Sequence, residues 1–254
     1  MSVRTDWLLE LGHSRLKLAR REDAGLAGVE SMSLARFDEW LSGQGWTIAQ
    51  AHARGDRFWL SSVPLPEVTA RVTGILARAG LEWHLVTTGS AALPVAASYP
   101  GLGVDRWLAV QPVWTALRAP FCLADCGTAT TIDLVDGRGV HLGGWIMPGL
   151  DAARDGLLAR APGLRRAPPG RRALPLPALD TAQGFEDGLL LQQAGGIALA
   201  CRYASGAPGL DREPALVLTG GAAAPLQSLL EGARVEPDLV LRGLAMAVES
   251  VSKR

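Results

Sequence analysis

The chain lacks several things that would have fixed its class at once. No apolar stretch of 18 or more residues occurs in its 254 positions, so no membrane-spanning helix is expected. No charge of either sign is in excess, with 25 basic and 25 acidic side chains. A broad basic face for nucleic acid is therefore not expected. Cysteine is scarce: Cys122, Cys126 and Cys201 have no partnering histidine or second cysteine pair near them. That spacing speaks against zinc and for incidental thiols in a reducing cytoplasm. Lysine is almost missing, with Lys17 and Lys253 set against 23 arginines. Neither a Gly-x-x-x-x-Gly-Lys loop nor a Gly-x-Gly-x-x-Gly fingerprint is present, which removes two common routes to a nucleotide. His52, His84 and His141 stand in no recognisable hydrolase motif. Glu10 and His13 break the first apolar run, so no secretory leader is expected. Hydrophobic residues make up 48% and charged residues 20%, the balance of a globular chain with a sizeable core.

The most informative segment is 121–145, FCLADCGTATTIDLVDGRGVHLGGW. An apolar run ends on Asp125, and Cys126-Gly127 turns the chain. A threonine-rich strand follows with Thr128, Thr130 and Thr131, and Asp136-Gly137 folds it back. Asp-Gly between apolar runs signals a hairpin. The first turn gathers a carboxylate, bare glycine backbone and hydroxyls at one strand tip, a set that holds a cation and phosphate oxygens together. Taken alone, the same residues also suit an ordinary β-meander. Residues 6–19, DWLLELGHSRLKLA, repeat the layout with Glu10, Gly12, Ser14 and Lys17. Two such hairpins, one opening each half, imply an internal duplication. Facing each other across a cleft, they would clamp a nucleotide triphosphate with magnesium. Gly220-Gly221, after Ala215–Leu218 and Thr219, adds a turn open to close ligand approach.

Strands are expected at 6–11, 14–20, 57–62, 83–87, 120–145 and 215–218, and helices at 34–43, 66–80, 104–117, 150–160, 181–205, 223–231 and 238–251. Their alternation indicates α/β layers. Two halves are expected, 1–103 and 104–254, with no flexible linker between them. The proline- and arginine-rich run 161–180 reads as a solvated surface loop. Asp105-Arg106 follows Gly101-Leu-Gly103-Val104 and opens a helix. Such an aspartate is either a helix cap or a general base for a substrate hydroxyl. Arg106 offers a bidentate fork for a carboxylate, and Tyr99 stands just upstream. Asp180-Thr181 reads as a helix cap and first turn.

In this order the motifs resemble those of the type III pantothenate kinases, members of the acetate/sugar kinase, heat-shock ATPase and actin superfamily. The resemblance covers nearly the whole chain. Glu10-Leu-Gly-His-Ser14-Arg-Leu-Lys17 is similar to the family's first phosphate motif, and Asp125-Cys-Gly-Thr-Ala-Thr-Thr-Ile-Asp133 to its second. Gly103-Val-Asp-Arg106 resembles the substrate motif, and Leu218-Thr-Gly-Gly221 the adenosine-side turn. Gly143-Gly144, Pro148-Gly-Leu150, Asp180-Thr181 with Gly188, and Asp238-Leu-Val-Leu-Arg-Gly-Leu244 match further segments. The resemblance implies an actin-like (ribonuclease H-like) duplicated α/β fold with a central nucleotide cleft. It implies phosphorylation of pantothenate by ATP in the first step of coenzyme A synthesis. Asp105 would be the base. Tyr99, Gly103, Val104 and Arg106 would bind pantothenate, with Thr181 reaching in from the partner of a homodimer. Glu10, Gly12, His13, Ser14, Lys17, Gly127, Thr128, Gly220 and Gly221 would hold ATP and its phosphates. Asp125 would bind a monovalent cation, potassium or ammonium, and Glu10 magnesium. The enzyme would be cytoplasmic, with neither nucleic acid nor membrane as a partner. The alternative, from a different class, is a catalytically weak paralog acting as a regulatory or accessory nucleotide-binding protein.

Two positions depart from the family pattern. The usual first aspartate is Glu10 and the usual asparagine is His13. Glu10 shifts its carboxylate by roughly 1.5 Å, and positional catalysis loses about 10²-fold for shifts near 1 Å. A histidine beside phosphates binds them best when protonated, so ATP affinity is expected to fall as pH rises above neutrality. The double replacement Glu10→Asp with His13→Asn is expected to raise both turnover and ATP affinity. Steady-state kinetics checks this, and no improvement in either constant would clear these residues as the limiting defect.

Overall fold

Every residue of β1 (Asp6–Leu11) except Glu10 is buried, the mark of a strand flanked on both edges and both faces. It pairs antiparallel with β2 (Leu16–Glu22) and parallel with β4 (Arg57–Ser62). β3 (Gly25–Met32) continues the meander and β5 (Glu82–Val86) the parallel side, giving the order β3-β2-β1-β4-β5. The second sheet repeats this pattern around β6 (Phe121–Cys126). β7 (Ala129–Val135) and β8 (His141–Pro148) form its antiparallel side, and β9 (Ala215–Thr219) and β10 (Arg234–Val235) its parallel side. The duplication read from the two acidic glycine turns is thus a duplication of the whole sheet. This computed structural model describes residues 4–12, 15–22, 25–43, 48–63, 66–161, 163–164, 177–207, 210 and 212–252.

The helices are α1 (Leu34–Gly43), α2 (Ile48–Arg54), α3 (Pro66–Arg78), α4 (Val104–Leu117), α5 (Leu150–Arg160), α6 (Thr181–Ala204), α7 (Ala223–Gln227) and α8 (Leu239–Ser252). Pro66 opens α3, where a missing N–H costs nothing. Most of the arginine-rich 161–180 run lies outside the described residues. Three elements were not anticipated: β3, α2 and β10. β3 carries Gly25 and Gly28 and is exposed along most of its length, so it lacks the alternation that marks a strand.

The chain packs as two compact units, Met1–Ala116 with Asp238–Arg254, and Leu117–Pro237. The sequence suggested 1–103 and 104–254 instead. The difference lies in two helices. α8 packs on the β1 sheet and crosses α4 at Gly243, where any Cβ would collide with the Leu108 carbonyl. Close passage of that kind binds α4 and α8 into one unit. Arg118 and Asp238 lie at the two places where the chain changes unit, and both have left-handed backbone, with φ of 47° and 54°. Such conformations cost about 1–3 kcal/mol in a residue with a side chain.

In the first unit Trp7 of β1 stacks on Phe58 and meets Trp40 edge-on, and Trp40 stacks on Phe37. Asp6, at the strand's far end, accepts from the Arg57 guanidinium at 2.9 Å and from the Trp59 indole at 3.2 Å. In the second unit the expected Asp136-Gly137 turn closes β7 on β8. The buried Asp136 carboxylate accepts from the amides of Arg138 (2.9 Å) and Val140 (2.8 Å), and from the Arg138 guanidinium. Burial opposes its charge, but the Val140 and Arg138 amides and the guanidinium outweigh burial and hold its pKa below the ordinary value. A depressed folded-state pKa stabilises above the unfolded value and is lost as pH falls through the folded one. Asp136→Ala is therefore expected to cost about 1–3 kcal/mol near neutrality, the price of unmade buried hydrogen bonds. The gap to wild type should shrink below about pH 4. Circular dichroism melts across pH decide the point.

Candidate active site

In the second unit, the second hairpin gathers one set of the expected residues. Asp125, half-buried, is the penultimate residue of β6, opposite Thr131 on β7 and level with Thr219 on β9. The chain then turns: the Gly127 amide donates to the Ala129 carbonyl at 3.1 Å, and the Gly149 amide to the Thr128 carbonyl at 3.1 Å. A Cβ on Gly149 would overlap the Gly127 and Thr128 carbonyls. Gly220 has φ of 87°, and a Cβ there would sit 2.6 Å from Asp125 Oδ1 and 2.7 Å from the Cys126 carbonyl oxygen. Gly221, by contrast, faces open space. Glycine at these points lets position 149 close on the 127–128 turn and position 220 on the Asp125 carboxylate, leaving Gly127 and Thr128 exposed. Burial first, then the charge of Asp125, pushes the Cys126 thiol up to about 12. Cys126 therefore stays protonated at neutral pH and serves as neither nucleophile nor metal ligand.

The first hairpin repeats the geometry. Glu10 lies opposite Lys17 on β2 and level with Ser61 on β4. The Gly12 amide donates to the Arg15 carbonyl at 3.0 Å. Lys17 Nζ donates to Asp238 Oδ1 at 3.2 Å. His13 and Ser14 lie outside the described residues.

The same unit carries the start of α4. The Gly103 carbonyl accepts from the Trp107 amide at 3.0 Å, which makes Gly103 the cap. A Cβ on Gly103 would meet Asp105 Oδ1 at 2.5 Å. Glycine thus gives the Asp105 carboxylate its room. Val104 and Arg106 are buried, and Arg106 Nη1 donates to the Tyr99 hydroxyl at 3.0 Å. Tyr99, Gly103, Asp105 and Arg106 therefore form one cluster. Gln111 completes it and was missed in the sequence. Fully buried, it accepts from the Val95 amide at 2.9 Å and donates to the Val95 carbonyl at 2.8 Å. The Trp107 indole donates to that carbonyl too, at 2.9 Å. Together they pin the 91–103 loop that presents Tyr99. A lone glutamine in the otherwise apolar run 107–114 was the available signal.

In the second unit, Asp180 caps α6 by accepting from the Gln183 amide at 2.9 Å, and Thr181 follows, exposed. Thr130 on β7 donates to Gln193 of α6 at 2.8 Å, and Gln193 donates to the Pro148 carbonyl. α6 is thereby fastened to the second hairpin.

The sequence profile of the type III pantothenate kinases matches residues 8–202. The chain belongs to that family. A type III pantothenate kinase from Alkalilimnicola ehrlichii is 37% identical, covering 94% of this chain and 96% of the other. One from Stenotrophomonas maltophilia is 34% identical over 95% and 96%. Among solved structures, a Campylobacter jejuni protein described as a conserved putative Baf family transcriptional activator aligns with TM-score 0.64. It covers 98% of this chain and 100% of its own at 18% identity, a likeness of fold alone. The two mixed five-stranded sheets with their helices give the duplicated α/β fold that the resemblance implied.

Within this type III pantothenate kinase chain, Gly220→Ala is the sharpest probe of the second tip. It adds a methyl against Asp125 and imposes strain at a positive φ. ATP affinity is expected to fall by about tenfold or more, the scale of roughly 1.4 kcal/mol. Calorimetric titration with ATP would reveal an unaltered tip by unaltered binding.

Proposed function

We propose that the protein transfers the γ-phosphoryl group of ATP to the terminal hydroxyl of pantothenate, giving 4′-phosphopantothenate and ADP. Family membership supports the substrate, and the head of α4 supports the chemistry. The observation that carries the reading is Gly103-Val104-Asp105-Arg106, where the glycine cap leaves room for a carboxylate beside a buried arginine. Phosphoryl transfer asks chiefly for alignment, neutralised charge and a proton acceptor. Asp105 accepts the hydroxyl proton as the new P–O bond forms and the bond to ADP breaks. Arg106, steadied by Tyr99, grips the pantothenate carboxylate, and Gly103 and Val104 line its path.

Glu10, Gly12, His13, Ser14 and Lys17 bind phosphates at the first tip, and Gly127, Thr128, Gly220 and Gly221 at the second. No group of three or more histidine, cysteine, aspartate or glutamate side chains among the described residues suits a metal cage. A single carboxylate at each tip fits ions that rely on phosphate and water for their remaining ligands. Glu10 would hold magnesium, and Asp125, with backbone oxygens around it, potassium or ammonium. These ions supply charge neutralisation.

The protein works as a homodimer in the cytoplasm, with Thr181 completing the partner's site. On α6, Leu189, Ala194 and Ile197 are buried within their own unit. Leu191, Leu199 and Tyr203 are exposed at 56%, 43% and 70%, an outward stripe with steps of eight and four residues. The dimer reading therefore rests on these three. Light scattering is expected to give twice the 26.7 kDa chain mass, and a monomer at micromolar concentration would refute it. No observation favours the accessory-protein alternative. The deciding assay is 4′-phosphopantothenate formation in potassium buffer with ATP and magnesium. Asp105→Asn should keep ATP binding and lose about 10²-fold or more of turnover, and sodium in place of potassium should slow the wild type.

A further inference from the structure

Asp238 belongs to none of the residues assigned above to chemistry. Three of its features converge. Its backbone is left-handed, with φ of 54°. Its carbonyl accepts from the Arg242 amide at 2.9 Å and so starts α8. Its carboxylate accepts from Lys17 Nζ at 3.2 Å, across 221 residues of sequence. The two side chains are only 31% and 26% exposed, so the pair is partly shielded from solvent. Lys17 faces Glu10 across the antiparallel ladder, and directly opposed residues share one face of the sheet. Lys17 is also the one lysine among the described residues. A lysine stem is flexible and loses much rotamer freedom when its ammonium is fixed. An ammonium has three donors, so one bond to a carboxylate still allows it to meet a phosphate.

We propose that Asp238 is a positioning residue for phosphoryl transfer, holding the Lys17 ammonium on the Glu10 face of the first hairpin. The inference rests on the reading of Lys17 as a phosphate contact. α8, which Asp238 begins, also crosses α4 at Gly243 and Leu108, one turn beyond Asp105. One helix therefore braces both the phosphate hairpin and the helix that carries the base. Two effects compete when the carboxylate is removed. Losing the anchor disorders Lys17 and weakens ATP binding, whereas losing a negative charge beside the phosphates strengthens it. The shielded pair makes the anchor the larger effect.

The test uses the full-length enzyme with three changes: Asp238→Gly, Asp238→Asn and Lys17→Gln. Glycine adopts the left-handed backbone freely, so Asp238→Gly removes the carboxylate without loss of fold. It should raise the KM for ATP by about 5- to 10-fold, the scale of coupling within one ion-pair network. Melting temperature and the KM for pantothenate should hold. Asp238→Asn keeps an acceptor and should lie between wild type and the glycine variant. Adding Asp238→Gly to Lys17→Gln should change the KM for ATP no further. The proposal is overturned if Lys17→Gln raises that KM while Asp238→Gly leaves it within twofold or lowers it, or if the two effects add in full. An unchanged KM in Lys17→Gln removes the phosphate role of Lys17 itself, and the proposal goes with it.

Discussion

Saturation of the middle strand governs the rest of the molecule. β1 and β6 each have a ladder partner on both sides, antiparallel on one and parallel on the other. Along such a strand every backbone group is spoken for, and its side chains fill the two faces. At the carboxyl tip the antiparallel neighbour turns back, and the Gly12 and Gly127 amides close the two turns. α/β sheets bind ligands outside the carboxyl ends of their strands, and the acidic residues stand at those ends. Glu10 and Asp125 occupy equivalent places because the two sheets are the same construction.

Glycine then decides how closely other segments approach each tip. At the second tip Gly149 and Gly220 pass so near the hairpin that side chains there would overlap it. At α4 the same device works on a side chain, since Gly103 clears the space that Asp105 Oδ1 occupies. Gly243 applies it to a helix crossing. These contacts are steric and short-ranged, so they fix positions to fractions of an ångström. Catalysis by alignment depends on that tolerance. Asp238 adds the electrostatic counterpart, a charged tie between the last helix and the first hairpin.

Much of this was legible in the chain itself. The run 121–145 revealed two strand ends, the Asp136 turn and the Asp125 tip, because turn chemistry is local and the strands between are strongly apolar. The head of α4 was legible for the same reason: glycine, aspartate and arginine adjoin in sequence. Features that depend on distant pairing were not. Gln111 stabilises a loop 16 residues away, and nothing beside it says so. α8 continues the second repeat in sequence, yet packs with the first unit, because its partner at Gly243 is the backbone of Leu108. β10 has two residues and exists only as an addition to β9. The Arg106–Tyr99 bond lies between these cases, near in sequence but dependent on how the loop returns.

The placement of tryptophan has an optical consequence. Trp145, on β8 and 44% exposed, is the only tryptophan within 117–237. The other seven belong to the span of the first unit, with Trp107 wholly enclosed and Trp7, Trp40 and Trp59 nearly so. Indole emission therefore weighs almost entirely on one repeat, while backbone ellipticity draws on both. Should the two repeats come apart at different temperatures, a melt followed by fluorescence and one followed by ellipticity would not coincide, and that divergence is the usual sign that unfolding is not all-or-none.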